Sequence, residues 1–123
     1  MDTADTIEAP EAIWRAALAE GRFLLQRDGA TGEAIFPPRL DFDGAGALEW
    51  FEASGKGTVH AVTVVSQRPP AEPYNVVLVD LEEGPRMMSA VEGIAAGDVR
   101  IGMAVTARIA EGEDGPKLVF QPA

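Results

Sequence analysis

The chain has 123 residues, 46% of them apolar and 24% charged, as expected of one compact domain that can bury a core without disulfides. It contains no cysteine, which excludes disulfide bonds and thiolate metal sites. Ten basic residues stand against twenty acidic ones, a net charge of −10, and the cations are scattered along the chain. Because nucleic-acid binders draw most of their affinity from Lys and Arg on phosphates, this balance argues against general DNA or RNA binding.

We expect no targeting signal and no membrane span. Residues 1–9 are polar and acidic, and they lack the basic and apolar stretches of secretory and transit peptides. The longest apolar runs cover only a few residues, far fewer than the ~20 that a membrane-spanning helix needs. The sequence therefore predicts a cytoplasmic protein.

A short N-terminal helix is predicted over residues 10–21. Ile13, Trp14, Ala17 and Leu18 recur at helical spacing, Pro10 suits the first turn, and a glycine follows as a terminator. The apolar stripe packs the helix on the domain or docks it on a partner through Trp14, and the pattern leaves both readings open.

The next region, residues 22–52, resembles a metal-binding knuckle that has lost its ligands. Two short strands, 22–27 and 33–36, flank the tight turn DGATG, and Pro37-Pro38 forces an extended exit. A loop over 40–47 then leads to a strand at 48–52 that carries Trp50.

Residues 53–123 predict a series of β-strands. Turn signals separate runs of alternating apolar residues, and the predicted strands are 58–66, 75–81, 86–91, 103–109 and a last strand containing Leu118 and Phe120. Five short strands linked by turns favour a small closed barrel of the OB type, with a sandwich as the alternative.

The residue types of common catalytic sites do not come together. His60 is the single histidine, so a catalytic triad or zinc site lacks partners, and we interpret it as structural. The stretch SGKGT lacks the leading glycine and following helix of a phosphate-binding loop, so it predicts a hairpin turn, with Lys56 touching a ligand phosphate as the minority reading. The acidic turn residues Glu82, Glu83, Glu111, Glu113 and Asp114 are predicted to be solvated surface charge.

A calcium loop is also disfavoured. Asp41, Asp43 and Glu52 fall at calcium-ligand spacing, but Ala45 occupies a ligand position and Pro37-Pro38 excludes the entering helix.

The order of these motifs resembles a known family. A Trp-containing helix, the knuckle hairpin, FPPR, SGKGTV, VDLEEGPRMM and IGMAV follow one another as in the zinc-ribbon plus OB-fold family catalogued as domain of unknown function thirty-five. The resemblance runs from about residue 12 to residue 123. It implies a mostly β protein with an N-terminal helix (10–21), a rubredoxin-like zinc ribbon (22–52) and a five-stranded OB-fold barrel (53–123).

The chain departs from that family at the ribbon. Asp28 and Thr31 match the positions of the first Cys pair, and the second pair would fall between residues 40 and 44, where Asp41 and Asp43 are the only candidates. Hard oxygen ligands do not favour zinc as thiolates do, so we predict a degenerate, metal-free ribbon. Apolar contacts are expected to replace the metal, contributed by Phe23, Leu25, Ile35, Phe36, Leu40 and Trp50.

Because members of the family accompany acyl-CoA enzymes, the resemblance implies a non-catalytic accessory subunit of a thiolase-, aldolase- or hydratase-like enzyme, without a cofactor of its own. A direct contact with CoA is a further expectation, since CoA carries phosphates. The candidate cations are Arg39, Lys56, Arg86 and Arg100, and the candidate partner contacts are Trp14 and Trp50.

Two other functions stay open at this point. An OB-fold binder of single-stranded nucleic acid would stack bases on Tyr74 and His60, against the charge balance. A stand-alone enzyme on small acyl thioesters is the weaker reading, since the sequence offers no nucleophile–base pair.

Overall fold

A computed structural model describes residues 9–29, 31–38, 48–113 and 115–123 of the chain. Within these residues, the regular structure consists of one helix and eight strands, apart from a 3-10 turn at Ala96–Asp98: α1 (Pro10–Ala19), β1 (Leu24–Asp28), β2 (Ala34–Ile35), β3 (Leu48–Glu52), β4 (Lys56–Val65), β5 (Tyr74–Leu81), β6 (Arg86–Ser89), β7 (Ala104–Gly112) and β8 (Gly115–Pro122). The mostly β architecture with an N-terminal helix confirms the predicted fold class. Asp41 and Asp43, the candidates for the second Cys-pair positions and part of the disfavoured calcium loop, lie outside the described residues, as do Arg39 and Leu40.

Helix α1 begins and ends as the sequence predicts. Pro10 occupies the first helical turn, and Gly21 adopts φ 81°, a left-handed conformation that favours glycine. The chain turns there because the N–H of Gly21 donates to the carbonyl of Leu18 at 2.9 Å. The helix buries Ala17 and Leu18.

The ribbon is a three-stranded antiparallel sheet in the order β2-β1-β3. Its first turn is closed by the two residues at the family's Cys positions. Asp28 Oδ1 accepts from the N–H of Thr31 at 3.3 Å, and Thr31 Oγ1 accepts from the N–H of Glu33 at 3.2 Å. These residues thus use their oxygens to cap backbone N–H groups of the knuckle turn.

The five remaining strands form one antiparallel sheet in the order β6-β5-β4-β7-β8. The sheet curls so that the segment after β6 reaches β8, where Val91 and Phe120 form a parallel bridge. A single curled sheet confirms the five-stranded barrel and excludes the sandwich alternative. A bulge in β4, between Val59 and Ala61, places His60 as the extra residue.

The ribbon and the barrel share one hydrophobic cluster. Phe23 and Leu25 from the ribbon are buried together with barrel residues such as Val59, Val79 and Phe120. Of the remaining apolar side chains predicted to hold the ribbon, Phe36 packs against this cluster, whereas Ile35 and Trp50 are half-buried. Helix α1 and strand β8 pack together at the side, where Ala17, Leu18, Leu24 and Val119 are also buried.

Candidate functional site

A cleft of about 370 Å³ lies where the ribbon meets the barrel. Apolar side chains of Phe23, Ile109 and Leu118 form part of its wall. The other lining residues are small or polar: Gly21, Glu52, Ala53, Ser54, Gly55 and Ala107. The wall therefore mixes apolar and polar surface in comparable amounts, and its concave shape makes it a candidate small-molecule site.

The turn that enters β4 forms the rim of this cleft. Gly55 adopts φ 82°, and its carbonyl accepts from the N–H of Ala107 at 2.7 Å. Ser54 Oγ accepts from the N–H of Lys56 at 3.1 Å, so the turn is closed by its own side chain. Strand β4 begins at Lys56 and no helix follows, which agrees with the prediction of a turn instead of a phosphate-binding loop.

The prediction that Glu83 is solvated surface charge is wrong. Glu83 is half-buried, its Oε2 accepts from the N–H of Ser54 at 2.7 Å, and its Oε1 is buried without a hydrogen-bond partner. Glu82, Glu111 and Glu113 are exposed as predicted, and Asp114 lies outside the described residues. Sequence reasoning missed Glu83 because its partner is 29 residues away and is a backbone group.

The candidate cations do not converge on one point. Lys56 lies at the rim of the cleft, Arg86 begins β6 on the far side of β5, and Arg100 belongs to the loop before β7. Among the described residues, no carboxylate lies within 4.0 Å of Lys56, Arg68 or Arg100. Each of the other described Arg and Lys residues has a carboxylate within that distance.

Arg86 is already engaged by an acid. Its Nε donates to Asp80 Oδ1 at 2.6 Å, and His60 Nδ1 lies 3.3 Å from the other oxygen of that carboxylate. The hydrogen bond from Arg86, followed by the charges of Arg86 and His60, holds the pKa of Asp80 below its ordinary value, against an opposing effect of desolvation. Lys56 and Arg100 are therefore freer than Arg86 to meet an anion.

Trp14 is half-buried and bonded within the chain. Its Nε1 donates to the carbonyl of Leu24 at 2.9 Å, and its ring lies 6.4 Å from that of Phe23 and 5.6 Å from that of Phe36. Trp50 is half-buried in the middle of β3. The packing role of Trp14 is thus visible, and its role as a partner contact stays a prediction.

The residues expected to stack nucleic-acid bases lie far apart. Tyr74 begins β5 and is 48% exposed, whereas His60 lies beside Asp80, six residues further along the same strand. Six residues of β-strand span roughly 20 Å, so the two rings do not form one stacking platform.

Within the described ranges, no group of three or more metal-ligating side chains comes together, and no helix is long and apolar enough to cross a membrane.

The buried amide of Asn75 is another feature that sequence reasoning missed. It donates to the carbonyl of Val91 at 3.0 Å and accepts from its N–H at 2.9 Å, which fixes the loop after β6.

Two family models match consecutive parts of the chain. The model described as ChsH2, rubredoxin-like zinc ribbon domain, matches residues 15–49, and the one described as ChsH2, C-terminal OB-fold domain, matches residues 50–110.

Named relatives agree with these models. A DUF35 domain-containing scaffold protein of Methanothermobacter thermautotrophicus is 34% identical over 96 residues, covering 68% of this chain and 71% of the relative. One of Pyrococcus furiosus is 35% identical over 80 residues, covering 60% of this chain and 59% of the relative. A probable enoyl-CoA hydratase alpha subunit of Thermomonospora curvata is 34% identical over 126 residues, 95% of this chain but only 39% of the relative. The chain therefore spans about two fifths of that hydratase subunit.

A solved structure named Ltp2-ChsH2(DUF35) aldolase contains a chain of the same fold. The superposition has a TM-score of 0.78 at 32% sequence identity and covers 94% of this chain and 96% of the other.

Proposed function

This chain belongs to the DUF35 family of zinc-ribbon plus OB-fold proteins, and on that premise we propose that it is a non-catalytic accessory subunit of an acyl-CoA enzyme. The enzyme would be aldolase-, hydratase- or thiolase-like. A cytoplasmic location is part of the proposal.

The observation that carries this proposal is the match over almost the whole chain to a ChsH2(DUF35) chain whose structure is named as an aldolase together with Ltp2. The relatives named as scaffold proteins support an assembly role, and the relative named as a hydratase subunit supports a link to acyl-CoA chemistry. Fold likeness alone would not carry a function, but 32% identity over 94% of the chain is likeness of sequence as well.

In the part of the chain that the structure describes, no nucleophile–base pair is found, and this favours an accessory role over catalysis. His60 pairs with Asp80, and no hydroxyl or thiol of the described residues hydrogen-bonds its ring. Nucleophilic catalysis needs an activated nucleophile within hydrogen-bond reach of its base. We expect the isolated chain to turn over no acyl thioester, and turnover by the pure chain would contradict this part of the proposal.

Co-purification tests the function directly. The tagged chain, expressed in its native host, should recover an acyl-CoA enzyme in stoichiometric amount, identified by mass spectrometry. A monodisperse chain that recovers no such enzyme would contradict the proposal.

We also propose a direct contact with CoA through Arg39, Lys56, Arg86 and Arg100, and Lys56 has the strongest support. It is exposed, it directly follows the cleft-lining residue Gly55, and it lacks a carboxylate within 4.0 Å among the described residues, so its ammonium group is available to a phosphate. Arg86 is the weakest candidate because Asp80 already holds its Nε.

Calorimetry with CoA tests this contact. Lys56→Ala should weaken CoA binding about tenfold, which corresponds to a loss of ~1.4 kcal/mol in binding free energy. The matched control is Lys117→Ala, which removes the other lysine, whose Nζ lies 3.8 Å from Glu92 and which lines a different pocket. Equal affinity of wild type and Lys56→Ala would rule out Lys56, and no binding by the wild type would overturn the whole contact.

A further inference from the structure

Within the described residues, one edge of the ribbon sheet, that of β3, has no paired strand. The neighbour of β3 on the other side is β1, and the N–H of Ala53 donates to the carbonyl of Phe23 at 2.9 Å. Because hydrogen-bonded pairs alternate along an antiparallel ladder, the backbone groups of Glu49 and Phe51 point toward β1. Those of Leu48, Trp50 and Glu52 point away from it.

These outward-facing backbone groups make no hydrogen bond within the described part of the chain. The opposite edge of the sheet differs. There the N–H of Asp28 donates to the carbonyl of Glu33 at 2.9 Å, so only Ala34 of the two-residue strand β2 faces outward. An unpaired row of N–H and C=O groups can form backbone hydrogen bonds with another extended strand.

We propose that the open edge of β3 accepts an extended, basic segment of the partner enzyme as a fourth strand of the ribbon sheet. This inference rests on the proposed function as an accessory subunit, and it names the surface and the chemistry of the contact. Strand addition to an exposed edge is a recurring mode of protein recognition, in which backbone bonds supply affinity and side chains supply specificity.

Charge on the edge specifies a basic segment. Glu49 and Glu52 have side chains 58% and 63% exposed, and their Arg neighbours lie at 3.8 and 3.9 Å. The guanidinium of Arg27, the neighbour of Glu49, lies 4.5 Å from the centre of the Phe51 ring. Both carboxylates are exposed and meet their Arg neighbours only at these long distances, so we expect them to accept further Lys or Arg side chains from an added strand.

A second copy of this chain would be a poorer occupant. Each copy carries a net charge of −10, and pairing β3 with β3 would place the acidic residues of one copy beside those of the other. The edge thus favours a partner of opposite charge.

The position of Trp50 fits this arrangement. Trp50 is the central residue of β3, and the side chains of an added strand would flank its half-buried indole. Strand addition would therefore explain the predicted partner contact at Trp50 as packing of the indole against side chains of the added strand.

The test compares variants in the native-host co-purification described above. Trp50→Pro removes an outward N–H that β1 does not use, and Trp50→Val removes the indole but keeps the N–H. Ala34→Pro is the matched control, because it removes the outward N–H of the opposite edge. We expect Trp50→Pro to recover at least tenfold less enzyme than the wild type, Trp50→Val to lose less, and Ala34→Pro to behave as the wild type.

Circular dichroism and thermal unfolding check that the variants fold. If Trp50→Pro does not fold, the double variant Glu49→Lys with Glu52→Lys decides, since it should also lower recovery at least tenfold.

The outcomes separate the two proposals. Wild-type recovery of an acyl-CoA enzyme that survives Trp50→Pro and the double charge reversal overturns the edge proposal and leaves the accessory function standing. Recovery of no acyl-CoA enzyme by the wild type overturns both. A wild-type dimer in light scattering that Trp50→Pro makes monomeric assigns the edge to a second copy and overturns the basic partner segment.

Discussion

The carboxylate of Glu83 accepts a 2.7 Å hydrogen bond from the backbone N–H of Ser54, and so joins the turn after β5 to the segment between ribbon and barrel. Ser54 precedes Gly55 and Lys56, at the rim of the cleft. Glu83 therefore fixes the segment that carries the best-supported anion contact.

Replacing Glu83 should loosen this segment. Glu83→Ala removes the acceptor for the Ser54 N–H, and we expect a loss of about 0.5–1.5 kcal/mol in the free energy of unfolding. Thermal unfolding measures it, with a fall in Tm of about 4 °C. The control is Glu82→Ala, an exposed neighbour that should change little. Equal Tm values for the two variants would show that the hydrogen bond does not contribute.

The Asp80–Arg86 pair makes stability depend on pH in the acid range. Since the folded pKa of Asp80 lies below its ordinary value of 3.8, the carboxylate stabilises the fold above that pH. This contribution is lost as the pH falls through the folded pKa.

Arg86→Ala should therefore raise the pKa of Asp80 toward its ordinary value. Carbon-detected NMR titration of the Asp80 carboxyl group measures this shift. Arg100→Ala is the control, because Arg100 bonds the carbonyl of Gly97 and no described carboxylate. An unchanged Asp80 titration in Arg86→Ala would contradict the assigned cause.

Gly57 is required by a close approach of β4 and β5. A Cβ added there would lie 2.5 Å from Val79 Cγ1 and 3.0 Å from the carbonyl oxygen of Asp80. Gly57→Ala should therefore cost about 1–3 kcal/mol, because the backbone on one side cannot move aside cheaply. Gly97→Ala is the matched control, since no atom lies within 4 Å of its added Cβ. Chemical denaturation of both variants checks the difference, and equal midpoints would contradict it.

Trp14 can be tested for packing separately from partner binding. Trp14→Phe keeps an aromatic ring against Phe23 and Phe36 but loses the hydrogen bond to the Leu24 carbonyl. We expect a loss of about 1 kcal/mol in stability by chemical denaturation. If partner recovery falls far more than this loss explains, Trp14 also contacts the partner; a variant as stable as the wild type would contradict the packing role.

The fold was predictable from the alternation of apolar residues along the strands and from the turn residues between them. Val77, Val79 and Leu81 alternate in the sequence and are buried on one face of β5, and Gly21 ends the helix as expected. Such patterns are local, and they determine which side of an element faces the core. Phe120 of the predicted last strand is fully buried as well.

The site was less predictable because its contacts join residues distant in sequence. Glu83 bonds a backbone N–H, Asn75 bonds Val91, and Arg86 is paired with Asp80 by the register of β5 and β6. None of these partners has a local signature. The predicted cations were therefore chosen by type alone, and the structure separates them into free and paired groups.

The burial of Phe23 and Leu25 among barrel side chains gives the ribbon an anchor that does not depend on a metal. A small ribbon standing by itself needs an ion to stay folded, because it has too little apolar interior of its own. Here two side chains of the ribbon belong to the interior of the barrel. This packing holds the strands in place, so the exchange of a metal ligand need not unfold the domain.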